Sequence, residues 1–394
     1  MTVPSKTFCI LPWIHLYANP DGSVLPCCVG DWQKPMGSVQ NNTLENVFNN
    51  DKFKTMRQNM LQGKQCGECT ACYRDEDAGN SSFREHSNNQ FSKYIDSAVK
   101  DTNTDGSIDD FKLRYLDVRW SNICNFKCRS CSSTYSSSWA HEDGKKNTYI
   151  FAGGKSNDDL YKQFEPHFDT IEEFYFAGGE PLLTDKHYDI LEYLIKNNRT
   201  EVKLRYNTNM SVLRYKDKNV LDLWKQFSNV YIGASLDSWS NRAEYIRHGT
   251  NWNIIEINLR KIRKEAPHIH LQTNTVVSIL NIKTLTKFID YMLDSGLVDA
   301  KKYDPHFYNV LNPDFLSLEL LTDDENKKIV NNLNEYAKKK GGNIKRSLQT
   351  VINGLETTTH NKSLIPKFKK EITYYDMMRN ENVAATFPEL SRLF

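Results

Sequence analysis

Three cysteines lie within eight residues in the stretch CNFKCRSC, at Cys124, Cys128 and Cys131, directly after a segment that reads as a strand. Thiols so spaced can form a disulfide, bind zinc or hold an iron–sulfur cluster. Structural zinc takes four ligands, usually from two closely spaced pairs, and no cysteine follows Cys131. His141 is the nearest candidate for a fourth ligand. Three thiolates alone leave one corner of a [4Fe–4S] cubane without a protein ligand, open to a substrate or cofactor. On these residues both readings stand.

The other six cysteines, Cys9, Cys27, Cys28, Cys66, Cys69 and Cys72, all precede residue 73. NPDG at 19–22 is a turn signal that folds a hairpin and brings Cys9 towards Cys27. A helix over TLENVFNNDKFKTMRQNMLQ, with Leu44, Val47, Phe48, Phe53, Met56 and Met60 near one face and Gly63 as its stop, then returns the chain to CGECTAC. Two distant cysteines plus a close pair can supply four thiolates to one cluster. Zinc is the alternative.

A third feature is IEEFYFAGGEPLLT, a strand running into Gly178-Gly179-Glu180-Pro181. Paired glycines after a strand let a ligand approach the main chain closely. Pro181 stiffens the exit, and Glu180 suits an ammonium group. FAGGKS at 151–156 repeats part of this text but lacks the phosphate-loop spacing GxxxxGK[ST]. It is read as a flexible loop that opens no apolar-periodic helix.

The elements that must position these groups are alternating strands and helices. LRYLDVRW, IEEFYFA, VKLRYNT, VYIGASLD and IHLQTNTVV read as strands, and KKYDPHFYNV as a sixth. Helical segments such as YDILEYLIKNN and NIIEINLRKIRKEA separate most of them. That alternation argues for an α/β fold with a parallel sheet or barrel, whose chemistry sits in loops after the strands' C-terminal ends. The expected division is a small Cys-rich domain over 1–100, a linker at 101–111, the α/β part over 112–311 and a helical extension over 312–394. A second helix in the first domain is expected from Phe83 into Val99.

Composition bounds the setting. Lys and Arg number 51 against 49 Asp and Glu, a net charge of +2. That near balance gives no electrostatic case for a nucleic-acid or membrane partner. No apolar run approaches the roughly 20 residues that span a bilayer, and MTVPSKTFCILPW is a poor signal peptide. A cytoplasmic protein is expected, where clustered cysteines bind metal or do chemistry rather than form disulfides.

CxxxCxxC after the first strand and GGEP after the second, in that order, resemble the radical S-adenosylmethionine (radical SAM) superfamily over about residues 112–310. The resemblance implies a partial (β/α)6 barrel. It also implies that Cys124, Cys128 and Cys131 hold a [4Fe–4S] cluster whose open iron chelates S-adenosylmethionine. Gly178, Gly179 and Glu180 would then contact the methionine amino group. In ASLDSWSNRAEYIRHGT, Ser235 and Arg247 would hold the ribose and carboxylate, with Asp237 nearby. The residue before the third cysteine is usually aromatic; here it is Ser130, and Phe126 is the substitute for adenine packing.

The earlier cysteines resemble the SPASM/twitch auxiliary-cluster domain, usually found after the barrel and here before it. By that match Cys9, Cys27, Cys69 and Cys72 hold a second iron–sulfur cluster. Cys66 could replace one of the last pair, and Cys28 could donate hydrogen or lie inert. The implied function is reductive cleavage of S-adenosylmethionine and hydrogen abstraction from a peptide or protein, with a flavodoxin- or ferredoxin-type electron donor. A small-molecule substrate, or a zinc-stabilised scaffold protein, is the alternative.

Overall fold

A computed structural model describes residues 3–79, 81–146 and 148–394. All six strands expected of the partial (β/α)6 barrel are formed, at Tyr115–Val118, Glu173–Phe176, Lys203–Thr208, Val230–Ser235, His270–Val277 and His306–Asn309. Among the described residues no helix is long and apolar enough to cross a membrane.

The compact units differ from the expected segments. One comprises Met1–Ile123, Asn147–Arg205 and Gln226–Asn229; the other comprises Cys124–Lys146, Tyr206–Lys225 and Val230–Phe394. The 1–100 segment therefore does not pack by itself. The reason is a further strand near the N-terminus, beyond the six expected. His15–Ala18 pairs in parallel with Tyr115–Val118, matching Tyr17 to Asp117. On its far side it continues antiparallel into Ser23–Leu25 and then Gly37–Ser38. The NPDG hairpin is as expected, with Gly22 at φ +79° donating to Asn19 O.

Alternation gives this first unit two unlike sheet faces. Leu16, Ala18, Leu116, Val118, Phe174 and Phe176 share one face and are buried. Phe174 there meets Phe168 edge-on, and the helix Asp185–Lys196 buries Tyr188, Ile190, Leu191 and Leu194. The opposite face carries His15, Tyr17, Tyr115, Asp117, Glu173 and Tyr175. Its charges are paired: Asp117 with Arg119 at 2.8 Å, and Glu173 with Lys203 and Arg205 at 3.0 and 3.2 Å. The Arg119 guanidinium lies over the rings of Tyr17 and Tyr175.

The long helix expected over 43–62 is two helices, Leu44–Phe48 and Asp51–Leu61. Asn50 breaks it, because its side chain caps the second helix by accepting from Phe53 N and also donates to Met36 O. The second expected helix likewise divides into Phe83–Gln90 and Ile95–Lys100. FAGGKS forms a tight turn in which Phe151 bridges to Gly154. A short helix, Asp158–Phe164, does follow it and buries Leu160 and Phe164.

Nor is 101–111 a free connector. Arg57, fully buried, donates to the carbonyls of Pro12, Phe48 and Gly106 and to Asn49 Oδ1. Asn49 in turn bonds Ile108 through both its side-chain oxygen and its amide. Burial pulls the Arg57 guanidinium down to about 9.

In the second unit Val230–Ser235, His270–Val277 and His306–Asn309 form a parallel sheet with Ser235 level with Asn274. The 312–394 segment belongs to this unit. Its helix Asp323–Lys340 has a Thr322/Glu325 capping box, an acidic first turn and three lysines in the last.

Arg57→Met should lower unfolding stability by at least about 3 kcal/mol, since several buried carbonyls lose their donor at roughly 1–3 kcal/mol each. Urea denaturation of the metal-free protein measures this. An unchanged midpoint would show that Arg57 does not tie the 101–111 segment down.

Candidate functional site

The cysteine loop is built from the second unit's own residues. Lys127–Cys128 pairs antiparallel with Arg247–His248, setting Arg247 opposite Cys128. Arg247 Nη1 lies 3.7 Å from Cys128 Sγ. Its Nε and Nη2 engage Asp237 at 2.8 and 3.1 Å. Asp237 is also held by Val276 N at 2.8 Å. Burial opposes a charge on Arg247, but Asp237 outweighs it and the guanidinium stays firmly protonated. Asp237 is thus the residue that aims Arg247.

The serines of SSTYSSSW fix the loop's main chain. Ser138 Oγ donates to Cys124 O, Ser136 Oγ to Phe126 O, and the Trp139 indole to Cys128 O. Phe126 N–H points at Cys124 Sγ. Burial raises the Cys128 thiol and pushes Cys131 up to about 12. Phe126 is buried against the backbone of Gly249, where a Cβ would come within 3.1 Å of its ring. Its place is in the core of the second unit. Ser235 is half-buried at its strand's end.

The GGEP turn belongs to the first unit. Gly178 adopts φ +119°. Gly179 donates to Ser121 O at 3.2 Å and Glu180 to Ile123 O at 2.7 Å. A Cβ on Gly179 would lie 2.2 Å from Ile123 O. The close approach that demands glycine here is therefore to the chain's own Asn122–Ile123 backbone. The Glu180 side chain is buried and accepts from Leu182 N at 3.1 Å, capping the short 3₁₀ turn Pro181–Leu183.

The N-terminal thiols surround one cavity in the first unit. Cys9, Cys27, Cys69 and Cys72 line it with Leu11, Met60 and Arg84 among their neighbours. Burial lifts all four, Cys9 to about 12. The FCI segment is pinned by Asn88, which accepts from Ile10 N and donates to Phe8 O, each at 2.8 Å. Arg84 also donates to Phe8 O and pairs with Glu76. Cys66 lines a separate surface depression with Gln65 and Glu68, and its thiol points at Met56 O.

Cys28 turns away from the cavity. Its thiol is pushed up to about 12 by burial and by Asp117, against Arg119 and Arg205, which places it at the charged sheet face. Among the described residues no three His, Cys, Asp or Glu side chains converge as they would about a single metal ion. Four desolvated thiols around one cavity nonetheless form a donor set suited to a cluster, whose ligands are distributed over several irons. Asn88 and Arg84 are not legible as site residues, since only their distant partners reveal their roles.

Residues 118–308 match the family model of the radical SAM superfamily, and residues 9–73 match the SPASM model, described as an iron–sulfur cluster-binding domain. These matches assign residues 118–308 to the radical SAM superfamily, with a SPASM domain ahead of them over residues 9–73. That superfamily is a class of S-adenosylmethionine-dependent enzymes with [4Fe–4S] clusters. Among solved structures it is similar to native anSMEcpe with bound AdoMet, at 18% identity over 57% of this chain and 61% of that one, TM-score 0.42. It is also similar to Streptococcus suis SuiB bound to S-adenosylmethionine, at 11% identity over 72% and 61%, TM-score 0.43. The chain thus spans about three fifths of the length of those structures. Comparison with curated proteins gives no match.

Two substitutions separate these assignments. Cys72→Ser should lose the N-terminal iron, whereas Cys66→Ser should keep it, by iron analysis after anaerobic loading. Equal loss in both would put Cys66 in the ligand set. Gly179→Val should lower the melting temperature even without S-adenosylmethionine, because the clash is with Ile123. A normal melting temperature would reject that reading.

Proposed function

We propose that the protein reductively cleaves S-adenosylmethionine and uses the product radical to abstract hydrogen from a peptide or protein. The observation that carries this reading is the three-thiol loop, with Cys128 held beside the Arg247–Asp237 pair. A cluster on Cys124, Cys128 and Cys131 would supply one electron to the sulfonium, giving methionine and a 5′-deoxyadenosyl radical that takes a hydrogen atom from substrate C–H.

The chain's own residues bind and orient. The cation at Arg247 favours thiolate at Cys128 and suits the methionine carboxylate. Ser235 serves the ribose, and Gly178, Gly179 and Glu180 serve the methionine amino group through the turn's main chain and carboxylate. Cys9, Cys27, Cys69 and Cys72 take the auxiliary cluster. The substrate class rests on the SPASM domain, which in the family accompanies enzymes acting on peptides and proteins. A flavodoxin- or ferredoxin-type protein is the electron donor in this reading.

Anaerobically loaded protein with dithionite and S-adenosylmethionine should form 5′-deoxyadenosine and methionine. The combined Cys124→Ala, Cys128→Ala, Cys131→Ala variant should form neither, while retaining about four irons per chain if the auxiliary cluster is a cubane. Stoichiometric zinc and no iron in anaerobic preparations would overturn the proposal in favour of a zinc-stabilised scaffold.

A further inference from the structure

Arg129 stands between Cys128 and Ser130, inside the cysteine loop, and yet its side chain has no solvent exposure. Its Nη2 contacts Glu381 Oε2 at 2.5 Å and Asp376 Oδ1 at 3.3 Å. Its guanidinium stacks 3.5 Å from the Tyr245 ring centroid and donates to the Tyr245 carbonyl. The two carboxylates are themselves held. Asp376 accepts from Tyr245 OH at 2.7 Å and from Val383 N at 2.8 Å. Glu381 contacts His248 Nδ1 at 2.7 Å. The left-handed residue Asn380, φ 51°, ends the helix Leu364–Arg379 and lets Glu381 N reach back to Asp376 O.

A second tie flanks the first. Glu142 pairs with Lys127 and with Arg379, the latter at 2.7 Å. Arg379 lies over the ring of Trp139, whose indole N–H holds Cys128 O. Both neighbours of Cys128 and its carbonyl are therefore bound, through side chains, to the segment 376–381. Sequence separations of 247 and 252 residues make these contacts pure tertiary structure.

We propose that Asp376 and Glu381 are positioning residues for the cysteine loop, acting through Arg129, and that the C-terminal helix end is the clamp that orders Cys124–Cys131 before any cluster is bound. The group is charge-balanced: Lys127, Arg129 and Arg379 face Asp376, Glu381 and Glu142, with His248 alongside. It fixes the loop without leaving a net charge beside Cys128. The inference goes beyond the proposed function, because it concerns the metal-free chain as well.

The test is differential thiol alkylation of full-length, metal-free, reduced protein, read by mass spectrometry cysteine by cysteine. Asp376→Asn/Glu381→Gln should speed iodoacetamide labelling of Cys124, Cys128 and Cys131 by roughly tenfold or more, the loss expected for a charge-assisted hydrogen bond. Cys9, Cys27, Cys69 and Cys72 in the same molecule should label as in the parent. Arg129→Lys keeps the charge but loses the planar fork, and should give the same acceleration. After cluster loading, Glu381→Gln should raise the reduction potential of the loop's cluster, because it leaves a cation uncompensated, whereas Arg129→Lys should not. Unchanged labelling of the loop, or equal acceleration at all cysteines, overturns the clamp. The labelling arm needs no cluster, so its failure is distinct from failure of the radical SAM reading.

Discussion

The parallel ladder between His15–Ala18 and Tyr115–Val118 is the constraint on which the first unit depends. It makes a cysteine-bearing N-terminal segment part of the sheet that begins the radical SAM domain. Its register is forced by the two faces. A slip of one residue would move Leu16 and Ala18 among the charges and turn Tyr17 into the phenylalanine cluster. Tyr17 must lie beneath Arg119, and His15 must stack on Tyr115 at 4.2 Å. Parallel sheets are ordinarily apolar on both faces. A buried face of charges is tolerable only because each carboxylate has its guanidinium or ammonium. Even so, burial raises Asp117 to about 6 against the pull of Arg119.

Much of this was legible locally, and the rest was not for identifiable reasons. The six barrel strands carry β-branched and aromatic runs of the proper period, so each could be placed from its own residues. HLYA has only four residues between an apolar turn and NPDG, and its partner lies a hundred positions away. Nothing local could announce it. The same limit explains 101–111, whose polar composition reads as a connector although Arg57 and Asn49 hold it fast. The break at Asn50 was visible in principle, since asparagine is a capping residue, but the flanking helical periodicity masked it.

The sites divide in the same way. Cysteine spacing and the GGEP turn could be read because the chemistry is compressed into a few consecutive residues. Choosing among the N-terminal cysteines depends instead on direction, which spacing does not encode. Cys27 lines the cavity while its neighbour Cys28 feels Asp117, and Cys66, itself buried, borders a separate depression although it lies within electrostatic reach of Cys9 and Cys69. Arg129 is the extreme case. Its letter lies inside the motif, but its meaning rests on carboxylates near the other end of the chain.

The two cysteine groups share one physical burden, since a thiolate is what a metal binds and burial opposes it. Burial raises the thiols of Cys9, Cys69 and Cys131 alike, so the metal-free state holds these groups neutral. Loading must then release protons, and the free energy of binding becomes in part free energy of ordering. That gives the surrounding fixings their purpose. Asn88 on either side of Cys9, the serines around Cys124 and the Arg247 guanidinium beside Cys128 each settle main chain or charge before a cluster arrives. Gly179 fits the same logic. By admitting the Ile123 carbonyl it lets the turn lie flat on the Ser121–Ile123 backbone of the same unit, which is settled whether or not a ligand is present.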